Sequence, residues 1–243
     1  MPRILVIKTS SLGDLVHCQT ALQEAHWNEP ELVVDWVSEE GFAAIPKSCA
    51  WVDRVHPVAL RRWRKSLLSR ETRVEVRLAL DALAERSYDL VIDAQGLLKS
   101  AWLVSRARVP KGGRWGFDWS SAREPFASLV LDHKVHSPPN DHAVARLRTL
   151  FSKALGYSIK GPLHIGHGWG NDHTPEEAES ASRSVGLHQR DDAMGMRGWV
   201  VLAHGSSRPE KEWPEGHWIG LGRILFRSGL LPVFPWGSPA EYE

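Results

Sequence analysis

Residues 4–14 read I-L-V-I-K-T-S-S-L-G-D, an apolar run that ends in a polar turn. Four consecutive apolar residues before a turn are typical of a strand buried on both faces of a parallel sheet. Residues 14–26 are predicted to be helical. We therefore expect a strand, a turn and a helix, with the N–H groups of the turn available to an anion or a reacting sugar.

Strands and helices alternate along the rest of the chain. Extended segments are predicted at residues 32–37, 54–58 and 90–92, and helices at 71–86, 97–105 and around 144–155. This alternation predicts an α/β fold with a mainly parallel sheet. Because ligands bind at the carboxyl ends of strands in such sheets, chemistry is expected in the turns after Lys8, Val37, Val58 and Ala94.

The domain organisation is predicted to be uneven. Residues 1–160 are expected to form an N-terminal Rossmann-like domain. Residues 161–198, rich in Gly, His, Asp, Glu and Ser, are interpreted as a linker with surface loops. Residues 199–243 are expected to begin a second domain with a strand at 199–202, a helix at 214–228 and a strand at 231–234. Two strands and one helix bury little apolar surface, so we expect the second domain to be incomplete.

Composition and residue spacing argue against several classes of partner and site. The 30 Lys and Arg against 29 Asp and Glu give a net charge of +1, so nucleic acid or an anionic membrane would not be attracted generally. The two cysteines, Cys18 and Cys49, have no metal-type spacing, which fits a reducing cytoplasm. The histidines at 164, 167 and 173 lack a helical H-x-x-x-H arrangement, so no metal is expected there. Without a long apolar run, bilayer contact would be peripheral.

Asp14 has two interpretations from the pattern around it. It is a candidate helix N-cap, and it is a candidate general base at the mouth of a cleft. The turn contains Gly13 but not the G-x-G-x-x-G pattern of dinucleotide-binding folds, so a nicotinamide dehydrogenase is disfavoured.

Two further segments carry concentrated charge. Residues 60–65 read L-R-R-W-R-K, a pattern that suits nucleic acid, the phosphates and carboxylates of a glycolipid, or simply a solvated helix end. Residues 203–214 combine a Gly-Ser-Ser turn with a lysine and a proline at a helix start. That geometry suits a diphosphate, although an ordinary strand-to-helix loop has the same composition.

Eight segments together resemble one known family, the lipopolysaccharide heptosyltransferases. They are K-T-S-S-L-G-D at 8–14, D-W-V-S-E-E-G-F at 35–42, V-A-L-R-R-W-R-K at 58–65, D-A-Q-G-L-L-K-S at 93–100, A-R-E-P at 122–125, H-A-V at 142–144, K-E-W-P-E-G-H-W at 211–218 and P-W-G-S-P at 235–239.

The resemblance implies a GT-B architecture, which is two Rossmann-like domains with parallel sheets, the second of them incomplete in this chain. It implies an inverting transfer of L-glycero-D-manno-heptose from ADP-heptose to Kdo of Kdo2-lipid A during lipopolysaccharide inner-core synthesis. It further implies no cofactor, no metal and no nucleic-acid partner. The expected location is the cytoplasm, with peripheral contact at the cytoplasmic face of the inner membrane.

The resemblance also implies roles for individual residues. Asp14 is expected to be the catalytic base. Donor binding is expected of Ser206, Ser207, Lys211 and Glu241. Acceptor binding is expected of Ser10, Ser11, Gly13, Arg61, Arg62, Arg64, Lys65, Lys99 and Arg123.

The sequence departs from the family at two places. The family continues beyond the P-W-G turn to an Asp-Thr-Gly-Leu-x-His loop at the nucleotide phosphates, and residues 161–198 do not match it. An alternative expectation is therefore a truncated, inactive chain that still binds glycolipid. A third interpretation is a nucleic-acid-binding module built on residues 61–65. Its affinity would fall steeply with rising salt concentration and would not change when ADP is added.

Overall fold

The computed structural model describes residues 1–161, 197–205 and 209–235. The chain divides into two compact units, Met1–Asn171 and Asp172–Glu243. No helix of the described part is long and apolar enough to cross a membrane.

The first unit alternates strands and helices as expected. Its strands are β1 (Arg3–Ile7), β2 (Val33–Glu39), β3 (Val52–Val58), β4 (Leu90–Asp93), β5 (Arg114–Phe117) and β6 (His133–Val135). Its α-helices are α1 (Leu12–Asn28), α2 (Ala44–Lys47), α3 (Leu60–Trp63), α4 (Arg70–Ala84), α5 (Leu98–Arg106) and α6 (Ala143–Leu155), with 3-10 helices at Glu40–Phe42 and Pro125–Val130. The predicted elements are confirmed, whereas β5 and β6 were not predicted.

The six strands form one parallel sheet in the order β3-β2-β1-β4-β5-β6. This is the strand order of doubly wound nucleotide-binding folds, and the chain reverses direction across the sheet between β1 and β4. Ile7 pairs with Val37 on one side and with Asp93 on the other. The carboxyl ends of three strands therefore meet at one edge of the sheet.

The core lies on both faces of this sheet, which explains the continuous apolar run of β1. Ile4 and Val6 pack with residues of α1 and α6, whereas Leu5 and Ile7 pack with residues of α4 and α5. All four side chains are fully buried. A strand covered on both faces has no solvent side on which a polar residue could alternate.

Helix α6 covers the same face as α1 and has clear local signals at both ends. Nδ1 of His142 accepts a hydrogen bond from the Val144 N–H at 3.3 Å, and Gly156 ends the helix with φ of 79°. Arg148 of α6 also forms a two-pronged ion pair with Glu24 of α1, at 2.7 and 2.8 Å. The start of α6 is thereby held near the carboxyl ends of the strands.

The second unit contains a parallel strand pair and a helix in its described residues. β7 (Gly198–Val201) pairs with β8 (Leu230–Val233), and α7 (Glu215–Arg227) connects them after a 3-10 helix at Pro209–Lys211. The predicted strand, helix and strand are confirmed. Leu202 is buried here, whereas Ile224 and Phe226 of α7 remain exposed.

Candidate active site

The candidate site lies where the turns after β1 and β4 meet, at the reversal point of the sheet. Gln95, in the turn after β4, fixes the backbone of the turn after β1. Its Oε1 accepts hydrogen bonds from the backbone N–H groups of Thr9 at 3.0 Å and Ser10 at 3.1 Å. Nζ of Lys8 donates to the Ala94 carbonyl at 3.0 Å. These bonds tie the two turns together, so the side chains they carry have fixed positions.

Asp93 stabilises the turn after β4. Its buried carboxylate accepts from the N–H groups of Gln95 and Gly96, each at 3.0 Å, and from the Ser100 hydroxyl at 3.0 Å. Burial raises the pKa of Asp93, although these hydrogen bonds and the charge of Lys8 oppose the rise. Gly96 adopts φ of 65°, a conformation that favours glycine, and a Cβ at this position would lie 3.4 Å from the backbone nitrogen of Arg123.

Asp14 is not the N-cap of α1, so that interpretation is wrong. Helix α1 begins at Leu12 with Ser11 as its N-cap, and Asp14 occupies the third helical position. Its Oδ2 accepts from the Ser11 N–H at 2.8 Å and from the Ser11 hydroxyl at 2.9 Å. This is the acidic arm of a capping box, which fixes the carboxylate at the start of the helix.

The surroundings of Asp14 favour its ionised form. Burial of the half-buried carboxyl opposes ionisation, but the Ser11 N–H, the Lys8 ammonium, the Ser11 hydroxyl and His17 outweigh it and lower the pKa of Asp14. Asp14 is therefore a carboxylate at neutral pH. Within the described residues, no hydrogen bond reaches its Oδ1, which leaves that oxygen able to accept a proton.

A cavity of about 160 Å³ opens beside this carboxylate. It is smaller than the pockets that hold drug-sized ligands, so it suits a single sugar ring better than a nucleotide. Its lining consists of Lys8, Asp14, Ala94, Gln95, Phe117, Ser121, Arg123, Ala143, Arg146 and Leu147.

Several residues expected to bind an acceptor lie at or next to this cavity. Arg123 lines it. Ser10 is buried in the turn, and its hydroxyl accepts a hydrogen bond from Nζ of Lys99 at 3.3 Å. Burial lowers the pKa of Lys99. Ser11 and Gly13 lie exposed at the start of α1.

A second, larger groove of about 840 Å³ adjoins Lys99 and Glu124. Its charged lining consists of four cations, Arg61, Arg64, Lys65 and Lys99, and one carboxylate, Glu124. Its apolar lining consists of Leu60, Trp63, Leu67, Val76, Leu97, Leu98 and Trp102. A groove with cations beside an apolar floor fits an anionic amphiphile.

Arg62 does not line this groove. It forms ion pairs with Glu40 at 3.1 Å and with Glu75 at 2.7 Å. These hydrogen bonds raise the pKa of Arg62. The structure thus gives Arg62 local partners, and its expected acceptor role stays a prediction.

The residues expected to bind the donor are mostly beyond what the structure describes. Ser206, Ser207 and Glu241 lie outside the described residues, as do the histidines at 164, 167 and 173. Lys211 is exposed at the end of the 3-10 helix that precedes α7. In the described ranges, no group of three His, Cys, Asp or Glu side chains is arranged to hold a metal ion.

Eight of the ten cavity residues were not predicted as site residues, and five of these are polar or aromatic: Lys8, Gln95, Phe117, Ser121 and Arg146. Lys8 and Gln95 lie in turns that the strand pattern did indicate, so their position was a usable signal. Arg146 comes from α6, whose place over the strand ends is a tertiary feature without a local signal.

Ser120, Asp118 and His136 form a hydrogen-bonded cluster next to Ser121, and these three residue types are those of a hydrolase triad. Both Ser120 Oγ and Asp118 Oδ2 lie at the same ring atom of His136, Nδ1, at 3.2 and 3.0 Å. A triad needs them on opposite ring nitrogens. Burial tends to raise the pKa of Asp118, but hydrogen bonds from Ser121, His136 and Ser120 lower it to about 2. The cluster instead anchors the loop that carries Ser121.

Replacing Gln95 by methionine is expected to loosen the first turn. The substitution keeps the side-chain length but leaves the buried N–H groups of Thr9 and Ser10 without their acceptor, which costs about 2 kcal/mol of folding free energy. Urea unfolding measures that loss, and amide hydrogen exchange should become faster at Thr9 and Ser10. Unchanged exchange at both amides would contradict the role assigned to Gln95.

Comparison with known proteins identifies the family. Residues 77–243 match the family model of glycosyltransferase family 9 (heptosyltransferase). The chain is 42% identical over 242 residues to lipopolysaccharide heptosyltransferase 1 of Escherichia coli (strain K12), covering 99% of this chain and 70% of that protein. It is also 42% identical over 241 residues to the Pseudomonas aeruginosa (strain PAO1) protein of the same name, covering 99% of this chain and 62% of that protein.

Solved structures agree with this relationship. E. coli heptosyltransferase WaaC with ADP-2-deoxy-2-fluoro heptose is 41% identical, with a TM-score of 0.78 over 98% of this chain and 70% of that one. E. coli ADP-heptose lps heptosyltransferase II is 20% identical with a TM-score of 0.70, which supports the fold alone. The expected α/β fold of the GT-B class is confirmed. The chain belongs to glycosyltransferase family 9, the heptosyltransferases.

Proposed function

We propose that this chain transfers L-glycero-D-manno-heptose from ADP-heptose to a Kdo sugar of Kdo2-lipid A, with inversion at the anomeric carbon. The observation that carries the proposal is the ionised Asp14 carboxylate beside Lys8 in a sugar-sized cavity at the reversal point of the sheet. The relatives named lipopolysaccharide heptosyltransferase 1 support the reaction class, and the WaaC structures with ADP and an ADP-heptose analogue support the donor.

Asp14 acts as the general base in the proposed reaction. An acceptor hydroxyl gives its proton to Asp14 while its oxygen bonds to the anomeric carbon of the heptose. The bond from that carbon to the diphosphate oxygen breaks, and ADP leaves with the electron pair. A single displacement from the opposite face inverts the anomeric configuration. General-base assistance of this kind contributes a factor of about 10²–10⁴ to the rate.

The neighbours of Asp14 hold it in place for this step. Because the Ser11 hydrogen bonds use Oδ2, Oδ1 remains for the acceptor hydroxyl. The lowered pKa makes Asp14 a weak base in the resting enzyme, but it ensures that the carboxylate is ready throughout the neutral range. Proton transfer then accompanies sugar attack instead of preceding it.

The second unit is proposed to hold the donor. Ser206, Ser207 and Lys211 would bind the diphosphate, and Glu241 would lie near the nucleoside. Lys211 precedes the N-terminus of α7, where a cation and backbone N–H groups both favour negative charge. These protein groups would stabilise the negative charge on the leaving ADP, and the proposed reaction uses no metal and no other cofactor.

The larger groove supports a glycolipid acceptor. Arg61, Arg64, Lys65 and Lys99 would meet its phosphates and carboxylates, and the apolar floor beside them suits a lipid. Since such an acceptor is held in a membrane, we propose peripheral contact with the cytoplasmic face of the inner membrane and no role for nucleic acid.

Transfer to two acceptors tests this proposal. The chain is incubated with ADP-heptose and either Kdo2-lipid A or lipid A that lacks Kdo, and products are analysed by mass spectrometry. We expect one added heptose on Kdo2-lipid A alone, and the NMR couplings of the new linkage should report the inverted anomer. Transfer to Kdo-free lipid A, a retained anomer, or no product at all would refute it.

A further inference from the structure

The cavity beside Asp14 contains more positive than negative charge. Lys8, Arg123 and Arg146 line it, whereas Asp14 is its one carboxylate. Lys8 is 8% exposed, donates to the Ala94 carbonyl and stabilises the charge of Asp14. The two arginines therefore give the cavity a positive surplus that an anionic ligand can neutralise.

Arg146 is held rigidly at this cavity by uncharged partners. Its Cζ lies 4.7 Å from the centroid of the Phe117 ring, and one terminal nitrogen donates to the Ser121 carbonyl. Its Nε is buried without a hydrogen bond. No ion pair to Arg146 is found in the described part of the chain. Burial lowers the pKa of Arg146, and the charge of Asp141 offsets this only in part, so a closer anion would stabilise the charged form.

The proposed acceptor has an anion in the required place. Kdo is a sugar acid that bears its carboxylate on the same ring as the hydroxyls available for attack. When one of these hydroxyls reaches Asp14, the carboxylate must lie within one sugar ring of it, inside or at the rim of the same cavity. The lipid A phosphates belong to more distant sugars and would reach the groove instead.

We propose that Arg146 binds the carboxylate of the acceptor sugar and thereby restricts acceptors to acidic sugars, an inference that rests on the proposed function. The planar guanidinium offers parallel N–H donors that match a carboxylate. It also offsets the repulsion between that carboxylate and Asp14, which would otherwise push the attacking hydroxyl away from its base.

Binding of two matched glycolipids tests the assignment without requiring turnover. One is O-deacylated Kdo2-lipid A, and the other is the same molecule with its Kdo carboxyls reduced to primary alcohols. Isothermal titration calorimetry should show the wild-type chain binding the acid about 10- to 100-fold more tightly than the alcohol, the usual range for hydrogen bonds to a charged group. In Arg146→Gln we expect this ratio to fall by at least about threefold, with affinity for the alcohol unchanged. Part of the preference should remain, because the cations of the larger groove can still meet the carboxylate of the second Kdo.

Two further variants make the test specific. Lys153→Gln removes the same charge from an exposed position on the same helix and should keep the wild-type ratio. Arg146→Lys keeps the charge but loses the parallel N–H donors of the guanidinium, so it should give an intermediate ratio. If Arg146→Gln does not fold, Arg146→Lys replaces it in the test.

Each other outcome has a distinct meaning. An acid-to-alcohol affinity ratio in Arg146→Gln equal to that of the wild type would overturn the inference. An equal loss of affinity for both glycolipids would also overturn it, because a purely structural role of Arg146 predicts that result. Equal wild-type affinity for acid and alcohol would overturn it while leaving the proposed function intact. Binding of neither ligand by the wild-type chain would overturn the proposed acceptor and the inference together.

Discussion

Replacement of Asp35 by alanine is expected to lower the free energy of unfolding by about 3 kcal/mol. Asp35 is fully buried on β2. Its carboxylate accepts hydrogen bonds from the Tyr88 hydroxyl at 2.9 Å and Arg86 Nη1 at 3.0 Å, and it lies 3.3 Å from Nε2 of His56. Removing it leaves the buried Tyr88 hydroxyl and His56 ring without the carboxylate that they share, whereas Arg86 keeps its ion pair with Asp53.

Asp53→Ala is the matched control because Asp53 pairs with the same arginine. Its side chain is 50% exposed, so water replaces the lost partner and the cost should be below about 1 kcal/mol. Urea unfolding at pH 7 measures both variants. Similar losses for the two, or a loss below about 1 kcal/mol for Asp35→Ala, would show that the buried network contributes little.

The contribution of Asp35 should also depend on pH. Burial opposes its ionisation, but His56, Tyr88 and Arg86 outweigh this effect and lower the pKa of Asp35. The folded-state pKa then lies below the unfolded value of about 3.9, so the stabilisation is complete above that value and is lost as the pH falls through the folded pKa. The stability gap between wild type and Asp35→Asn should be constant from about pH 5 to 8 and shrink below about pH 4.

Strand β1 was predictable because its signal is local and strong, whereas β5 and β6 were not. β5 reads R-W-G-F and β6 reads H-K-V, so neither has an apolar run or a clean alternation. Trp115 of β5 stacks on His133 of β6 at 4.1 Å, and Asp132 accepts from the Arg114 N–H at 3.0 Å. These pairings form only once the strands are adjacent, and a pattern along the chain cannot report them.

The position of the candidate site was predictable from strand ends, but much of its composition was not. The turns after Lys8 and Ala94 were expected to carry chemistry, and they do meet. The N-cap interpretation of Asp14 failed because the helix begins earlier, at Leu12, where the hydroxyl of Ser11 precedes it. Arg146 joins the cavity through the packing of α6 on α1, a contact between segments more than a hundred residues apart.

Asp14→Asn is expected to lower the rate of heptose transfer by about 10²–10⁴-fold. Asparagine has the same shape, and its carbonyl oxygen can still accept from Ser11, so helix α1 keeps its start. The amide cannot take a proton from the acceptor hydroxyl. The loss should therefore appear in the chemical step, while acceptor affinity stays close to that of the wild type.

The most direct measurement combines single-turnover transfer from ADP-heptose with calorimetric binding of O-deacylated Kdo2-lipid A, for the wild-type chain and Asp14→Asn side by side. We expect the variant to transfer at least about 100-fold more slowly with a Kd for the acceptor within about threefold of the wild-type value. Transfer within about tenfold of wild type, or a loss of transfer matched by an equal loss of acceptor binding, would contradict the assignment of Asp14 as the base.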